Sequence, residues 1–238
     1  VCSSDLFADT REAADEIIEE FKAINVNVFF ACSKFGPLNN RTHENVLAIR
    51  ALWLDLDCGP TKGVPNDKGI IEGYLDQQIG LAELQKFCQA VGLPKPILVN
   101  SGNGIHAYWL IEQTLTRREW EPLAGRLKEL CAEHGLIVDR KVFEASRVLR
   151  VPDTMNVKKD KEPKPVHMWN DQSPRMTYEQ IREILGEAET EPKALPDFIP
   201  QGMSPMMEAL MQNKIKRFAT IMLKAEKDRK STRLNSSH

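Results

Sequence analysis

The stretch that most limits what this chain can become runs from Val46 to Asp57 and reads VLAIRALWLDLD. It is apolar for most of its length and closes on Leu54-Asp55-Leu56-Asp57, the pattern of a largely buried strand. Side chains alternate faces along a strand, so Trp53, Asp55 and Asp57 share one face and Leu52, Leu54 and Leu56 take the other. Two like charges on neighbouring same-face positions repel, and one is driven toward protonation unless a cation compensates. A divalent cation such as Mg²⁺ removes that conflict, because hard cations prefer carboxylate oxygen. The plainer alternative is a solvated strand end. An Asp-x-Asp alone favours the plainer alternative, and the rest of the chain shifts the balance.

With 238 residues the chain can build one large domain with a good core plus a smaller appendage. Its 42% hydrophobic and 28% charged residues are the balance of a soluble globular protein. The 32 basic and 34 acidic side chains leave a net charge of −2, so binding to nucleic acid needs a local basic groove. No apolar run approaches a membrane span, and no signal peptide is read. Cys2, Cys32, Cys58, Cys88 and Cys131 are odd in number and scattered, with no Cys-x-x-Cys pair. That argues against a disulfide framework or a zinc site and for a reduced, cytoplasmic setting. Cys58 reads as a small packed residue and not as a ligand for a hard cation.

Taken in order, helix 10–24 is expected from Ala13, Ala14, Ile17, Ile18 and Phe21, then a short strand at 26–32 and a polar loop at 34–45 that carries Arg41. After the acidic strand, 58–73 reads as a loop and 81–91 as an amphipathic helix ended by Gly92 and Pro94. Strands at 96–101 and 105–112, joined through Gly102-Asn103-Gly104, form a hairpin whose second strand carries His106 and Tyr108 on one face. The glycine turn is expected to leave open backbone beside His106. A helix at 116–134 has a capping box in Thr116 and Glu119, and Pro122 inside it. An apolar run then ends in Asp139, and Arg147 to Lys159 is a basic strand and turn. Strand 164–169 and helix 177–185 follow, the latter capped by Thr177 and Gln180. Residues 187–205 read as a Pro-rich linker, and 206–230 as the start of a truncated helical C-terminal region. Residues 1–6 and 231–238 resemble peptides translated from sequencing-adapter DNA and are set apart from the fold, leaving 7–186 as the main domain.

Three pieces in this order resemble the archaeo-eukaryotic primase superfamily, most closely the phage and plasmid primase-polymerases. They are Leu54-Asp55-Leu56-Asp57, then Ser101-Gly102-Asn103-Gly104-Ile105-His106, then Val138-Asp139 with the basic stretch Arg147-Val148-Leu149-Arg150-Val151-Pro152-Asp153-Thr154-Met155-Asn156. The resemblance covers roughly residues 10–185. Each motif alone is weak; together and in order they are fairly specific. Asp153 departs from the pattern, standing where the family commonly has Gly.

The resemblance implies an α/β (α+β) fold, an α/β unit joined to an antiparallel sheet like that of an RNA-recognition module, followed by a helical tail. It implies a DNA primase or primase-polymerase. Such an enzyme transfers nucleotides from NTP or dNTP to a 3′-hydroxyl on a single-stranded DNA template by two-metal catalysis with Mg²⁺ or Mn²⁺. Asp55, Asp57 and Asp139 would be metal ligands, with Glu144 as the alternative third acid. His106 would contact the nucleotide phosphates, with Ser101, Gly102 and Gly104 beside it, and Arg147, Arg150 and Lys158 would neutralise the triphosphate. A replicative helicase, separate or fused, is a further partner to expect. Two rivals remain at this point: a metal-dependent nuclease or phosphohydrolase, and a replication-initiator module that binds DNA without turnover. The lack of a dense His/Asp cluster weighs against the first, and the intact acids and His106 against the second.

Overall fold

The structure, a computed structural model, describes residues 6–8, 10–36, 40–159 and 161–186. The linker expected at 187–205, the helix expected at 206–230 and both segments assigned to adapter sequence, save Leu6, lie outside the described residues.

The long strand organises everything else. Strand β3, Val46–Asp57, pairs antiparallel with β5, Gly104–Leu115, in a register that sets Trp53 opposite Tyr108, Asp55 opposite His106 and Asp57 opposite Gly104. The other face of the pair matches Leu52, Leu54 and Leu56 with Trp109, Ala107 and Ile105, all at most 1% exposed. Strands β2 (Ser33–Phe35), β4 (Ile97–Asn100), β7 (Thr154–Asn156) and β8 (Lys164–Asn170) extend this into one six-stranded sheet, in the order β2-β3-β5-β4-β8-β7. Every pairing in it is antiparallel. A separate two-stranded ribbon joins β1, Phe29–Ala31, to β6, Val148–Arg150.

Helix α2, Gln77–Val91, covers the leucine face, its Gly80 drawn close to Ile105. It begins at Gln77, four residues before the expected start, because the side chain of the preceding Asp76 accepts from the Ile79 N–H and caps it. Helix α3, Arg117–Glu133, has the capping box expected of Thr116 and Glu119. Its Trp120 stacks on Trp53 with ring centroids 4.7 Å apart. Helix α4, Tyr178–Leu185, is likewise boxed by Thr177 and Gln180.

Three expectations change. Residues 34 and 35 are not loop: with Ser33, whose hydroxyl donates to the Ala145 carbonyl at 2.6 Å, they form β2, which pairs along the start of β3. Helix α1, Arg11–Ala23, forms where expected, but none of its residues is buried, so its apolar stripe is no part of the core. And the acidic strand and the hairpin do not belong to two joined units. Direct pairing of β3 with β5 makes them neighbours in a single curled antiparallel sheet, with helices disposed around an α/β core.

Candidate functional site

Beyond Ile49, β2 no longer covers the edge of β3, and that edge must find other partners. Two distant loops supply them. The Asp139 N–H donates to the Asp55 carbonyl at 2.9 Å, and the Tyr74 N–H to the Asp57 carbonyl at 2.9 Å. The first bond docks the segment after α3 beside the acidic strand. It is reinforced by the Trp53 indole, which donates to the Val142 carbonyl at 2.7 Å within the short turn Arg140–Phe143. The second bond requires close approach at Gly73, where any side chain would strike the Asp57 carbonyl.

Asp139 is thereby brought against Asp55, and Arg147 lies between them. One guanidinium nitrogen, Nη2, stands 2.6 Å from Asp139 Oδ2 and 3.1 Å from Asp55 Oδ2. Asp57, on the same face two residues on, is held by Lys62 of the 58–75 loop, whose Nζ is 3.0 Å from Asp57 Oδ2 and 3.0 Å from Glu72 Oε2. Glu144, the alternative third acid, is exposed, and it meets Arg147 only through its carbonyl, which accepts the Arg147 N–H. Burial pushes the Asp55 carboxyl up to about 6, against the pull of Arg147 and with Asp57 adding repulsion. Arg147 is held above its ordinary value: burial works against the charge, but Asp139 and Asp55 outweigh it.

The three carboxylates do not close on one point as expected. Among the described residues, no group of three or more His, Cys, Asp and Glu side chains is gathered closely enough to hold a metal ion. The physical reason is in view, since Arg147 and Lys62 already compensate the acids. The donors themselves, three carboxylates, are the set a hard divalent cation takes. Cys58 is no competitor, its thiol being buried and pushed up to about 12 by that burial, with Asp57 adding to it. The donor types thus suit a divalent cation, which would have to displace the Arg147 guanidinium to reach Asp55 and Asp139 together.

His106 is 2% exposed and sits 3.8 Å from Asp55 through Nε2, beyond hydrogen-bonding reach. Burial, with Arg150 and Arg147 adding to it, lowers its pKa to about 3, so the imidazole is neutral at physiological pH. The Tyr108 hydroxyl lies 3.2 Å from Nδ1; donating there, it leaves the ring proton on Nε2, facing the acids. The backbone beside His106 is not open as expected. Ser101, Gly102 and Gly104 are buried, and Gly102 abuts Asn156 of β7 and Lys164 of β8. Two of the turn's N–H groups are engaged internally, Ser101 to the Gly104 carbonyl and Gly102 to Asn100 Oδ1, while Asn156 donates to the Ser101 carbonyl at 2.6 Å.

The basic stretch arrives from the β1–β6 ribbon. Arg150 packs its guanidinium over the Phe29 ring, 4.7 Å from the centroid, and Phe30 lies 6.1 Å from the Tyr108 ring. Burial lowers the pKa of Arg150, and it also lowers that of Lys158, though nearby acids pull both upward. Lys158 is exposed. Asn27 clasps the chain before it, donating to the Val157 carbonyl at 2.6 Å and accepting the Val157 N–H at 3.0 Å. Arg41 donates to the Ser146 carbonyl at 2.9 Å, next to Arg147. Sequence reasoning missed Lys62 and Asn27. Neither belongs to a motif, and only the fold of their loops brings them here.

No protein-family model matches the chain. A replication protein of Clostridium perfringens is 26% identical over 137 residues, a stretch that is 56% of this chain and 30% of that protein. The chain therefore spans only about a third of that relative. Among solved structures, the polymerase domain of Mycobacterium tuberculosis ligase D, in complex with DNA, gives a TM-score of 0.39 at 19% identity, over 67% of this chain and 58% of that one. The archaeo-eukaryotic primase domain of the cyanophage S-2L primase-polymerase gives a TM-score of 0.52 at 18% identity, over 72% of this chain and 76% of that one. The described chain thus has a fold like that of an archaeo-eukaryotic primase domain.

Proposed function

We propose that residues 7–186 are the catalytic domain of a phage- or plasmid-type DNA primase-polymerase, which transfers nucleotides from NTP or dNTP to a 3′-hydroxyl on single-stranded DNA. One observation carries this reading: Asp139 is docked on the free edge of β3 beside Asp55, with Asp57 on the same strand face. Cations Arg147 and Lys62 touch these acids, and Arg150 and Lys158 stand close enough to feel them. Acids for a metal and cations for a triphosphate are what phosphoryl transfer needs, since positioning and charge compensation do most of the catalysis.

In this reading Asp55, Asp57 and Asp139 would hold Mg²⁺ or Mn²⁺, which would supply Lewis acidity to the attacking hydroxyl and the leaving pyrophosphate. Arg147, Arg150 and Lys158 neutralise the β- and γ-phosphates as the 3′-oxygen attacks the α-phosphorus and pyrophosphate departs. His106, neutral with its proton on Nε2, donates a hydrogen bond to a phosphate oxygen instead of adding charge. Seating the nucleotide requires the β7–β8 cover over the 101–104 turn to shift. The test is to incubate the protein with primed single-stranded DNA, labelled nucleotides and Mg²⁺ or Mn²⁺. Extension is the expected result. Shortening of the strand would mark a nuclease, and a mobility shift without either would mark a binding module.

A further inference from the structure

Arg147 occupies the position between Asp55 and Asp139 in an unusual way. Arginine normally meets carboxylates with a two-pronged fork. Here the single nitrogen Nη2 serves both acids, while Nε is buried with no hydrogen-bond partner. The guanidinium is thus held by its charge more than by its shape, and a compact cation could do the same task. Its backbone, by contrast, is pinned: its N–H donates to the Glu144 carbonyl and its carbonyl accepts from the Cys32 N–H, each at 3.0 Å. Displacing the side chain breaks none of these backbone bonds, and the acids it would leave sit on backbone that is itself bonded, Asp139 N–H to the Asp55 carbonyl.

We propose that Arg147 is an exchangeable internal counter-ion. It holds Asp55 and Asp139 together until a divalent cation takes its place, and the released guanidinium then turns to the nucleotide triphosphate. The site is in this way ordered, metal before triphosphate, by one side chain. This rests on the metal-dependent reading above, and the experiment separates the two.

Mn²⁺ is titrated calorimetrically at pH 8 into the full chain as wild type, Arg147→Gln and Arg150→Gln. The second variant removes the same charge from the neighbourhood without touching either carboxylate. Arg147→Gln is expected to bind Mn²⁺ at least about tenfold more tightly than wild type, the worth of one competing charge-assisted hydrogen bond. Arg150→Gln is expected to change affinity far less. If Arg147→Gln binds no more tightly than Arg150→Gln, the exchange is overturned and the metal site stands. If none of the three binds Mn²⁺, both fall. A second readout uses the folded wild type: in ¹⁵N-labelled protein, Mg²⁺ should move the Arg147 guanidinium signal, assigned by its loss in Arg147→Lys, while leaving its backbone amide in place. An unmoved side-chain signal also overturns the exchange.

Discussion

Strand β3 and the β1–β6 ribbon approach the same site by opposite means. β3 is twelve residues long, buried on both faces at Leu52, Trp53 and Leu54, and delivers its two acids on backbone bonded along both edges. The ribbon is three residues a side, leaves Phe29 and Phe30 45% and 37% exposed, and delivers Arg150 on a long side chain braced by a ring. Under the proposed function, fixed acids would place the metal while adaptable cations follow the departing pyrophosphate. Stability therefore belongs to β3, and adaptability to the ribbon.

That division can be broken most sharply at the acids. Asp55→Asn or Asp57→Asn should reduce nucleotide incorporation to background while leaving the melting temperature in chelator no lower than that of wild type. Normal extension by either variant would remove β3 from the chemistry. Next in size, Leu54→Ala should cost roughly 2–5 kcal/mol in a denaturant titration, as a fully buried leucine does. Phe29→Ala should cost less than about 1 kcal/mol, the scale of an exposed cation–π contact, and yet raise the KM for nucleotide by loosening Arg150. Equal stability losses would erase the contrast.

A pH titration sharpens the comparison further. His106 on β5 has a pKa lowered to about 3, so the stability it provides is complete above the unfolded value near 6.5 and drains away as pH falls toward 3. Asp55, raised to about 6, acts with the opposite sign: its contribution is complete below the ordinary value of 3.8 and is lost as pH rises through 6. Melting curves in chelator should therefore show a shallower acid limb for His106→Gln than for wild type. An unchanged limb would mean that His106 is not the buried neutral base.

The smallest effect lies at Asp153, between β6 and β7, whose φ of 62° falls in the left-handed region. Asp153→Gly should stabilise by up to about 1 kcal/mol, since relief of left-handed strain (~1–2 kcal/mol) exceeds the added chain entropy (~0.5–1 kcal/mol). Activity should not change. Destabilisation would show that the Asp153 side chain contributes contacts of its own.

How much of this could be read from the sequence follows the same division. Alternation alone placed Trp53, Asp55 and Asp57 on one face, and the boxes at Thr116 and Thr177 marked two helix starts, because these signals are local. Asp139 was picked out by its resemblance to a motif, but its bond to the Asp55 carbonyl depends on β2 ending early, which no local pattern reports. Helix α1 carries a clear apolar stripe, yet none of its residues is buried; periodicity shows what a helix can bury and not whether it does. Lys62 was invisible because a lone polar residue in a loop has no period, and Asn27 because it stood inside an expected strand. The cover over the glycine turn was missed for a related reason: it comes from β7 and β8, some fifty residues away in the chain.

The most direct test of the site is the thermal shift that Mn²⁺ produces in wild type, Asp55→Asn, Asp57→Asn, Asp139→Asn and Glu144→Gln. Binding only to the folded state at a hundredfold excess over Kd adds about 2.7 kcal/mol. A common site made by the three aspartates predicts that gain for wild type and Glu144→Gln, and a much smaller one for each aspartate variant. Equal shifts in all five proteins would contradict it.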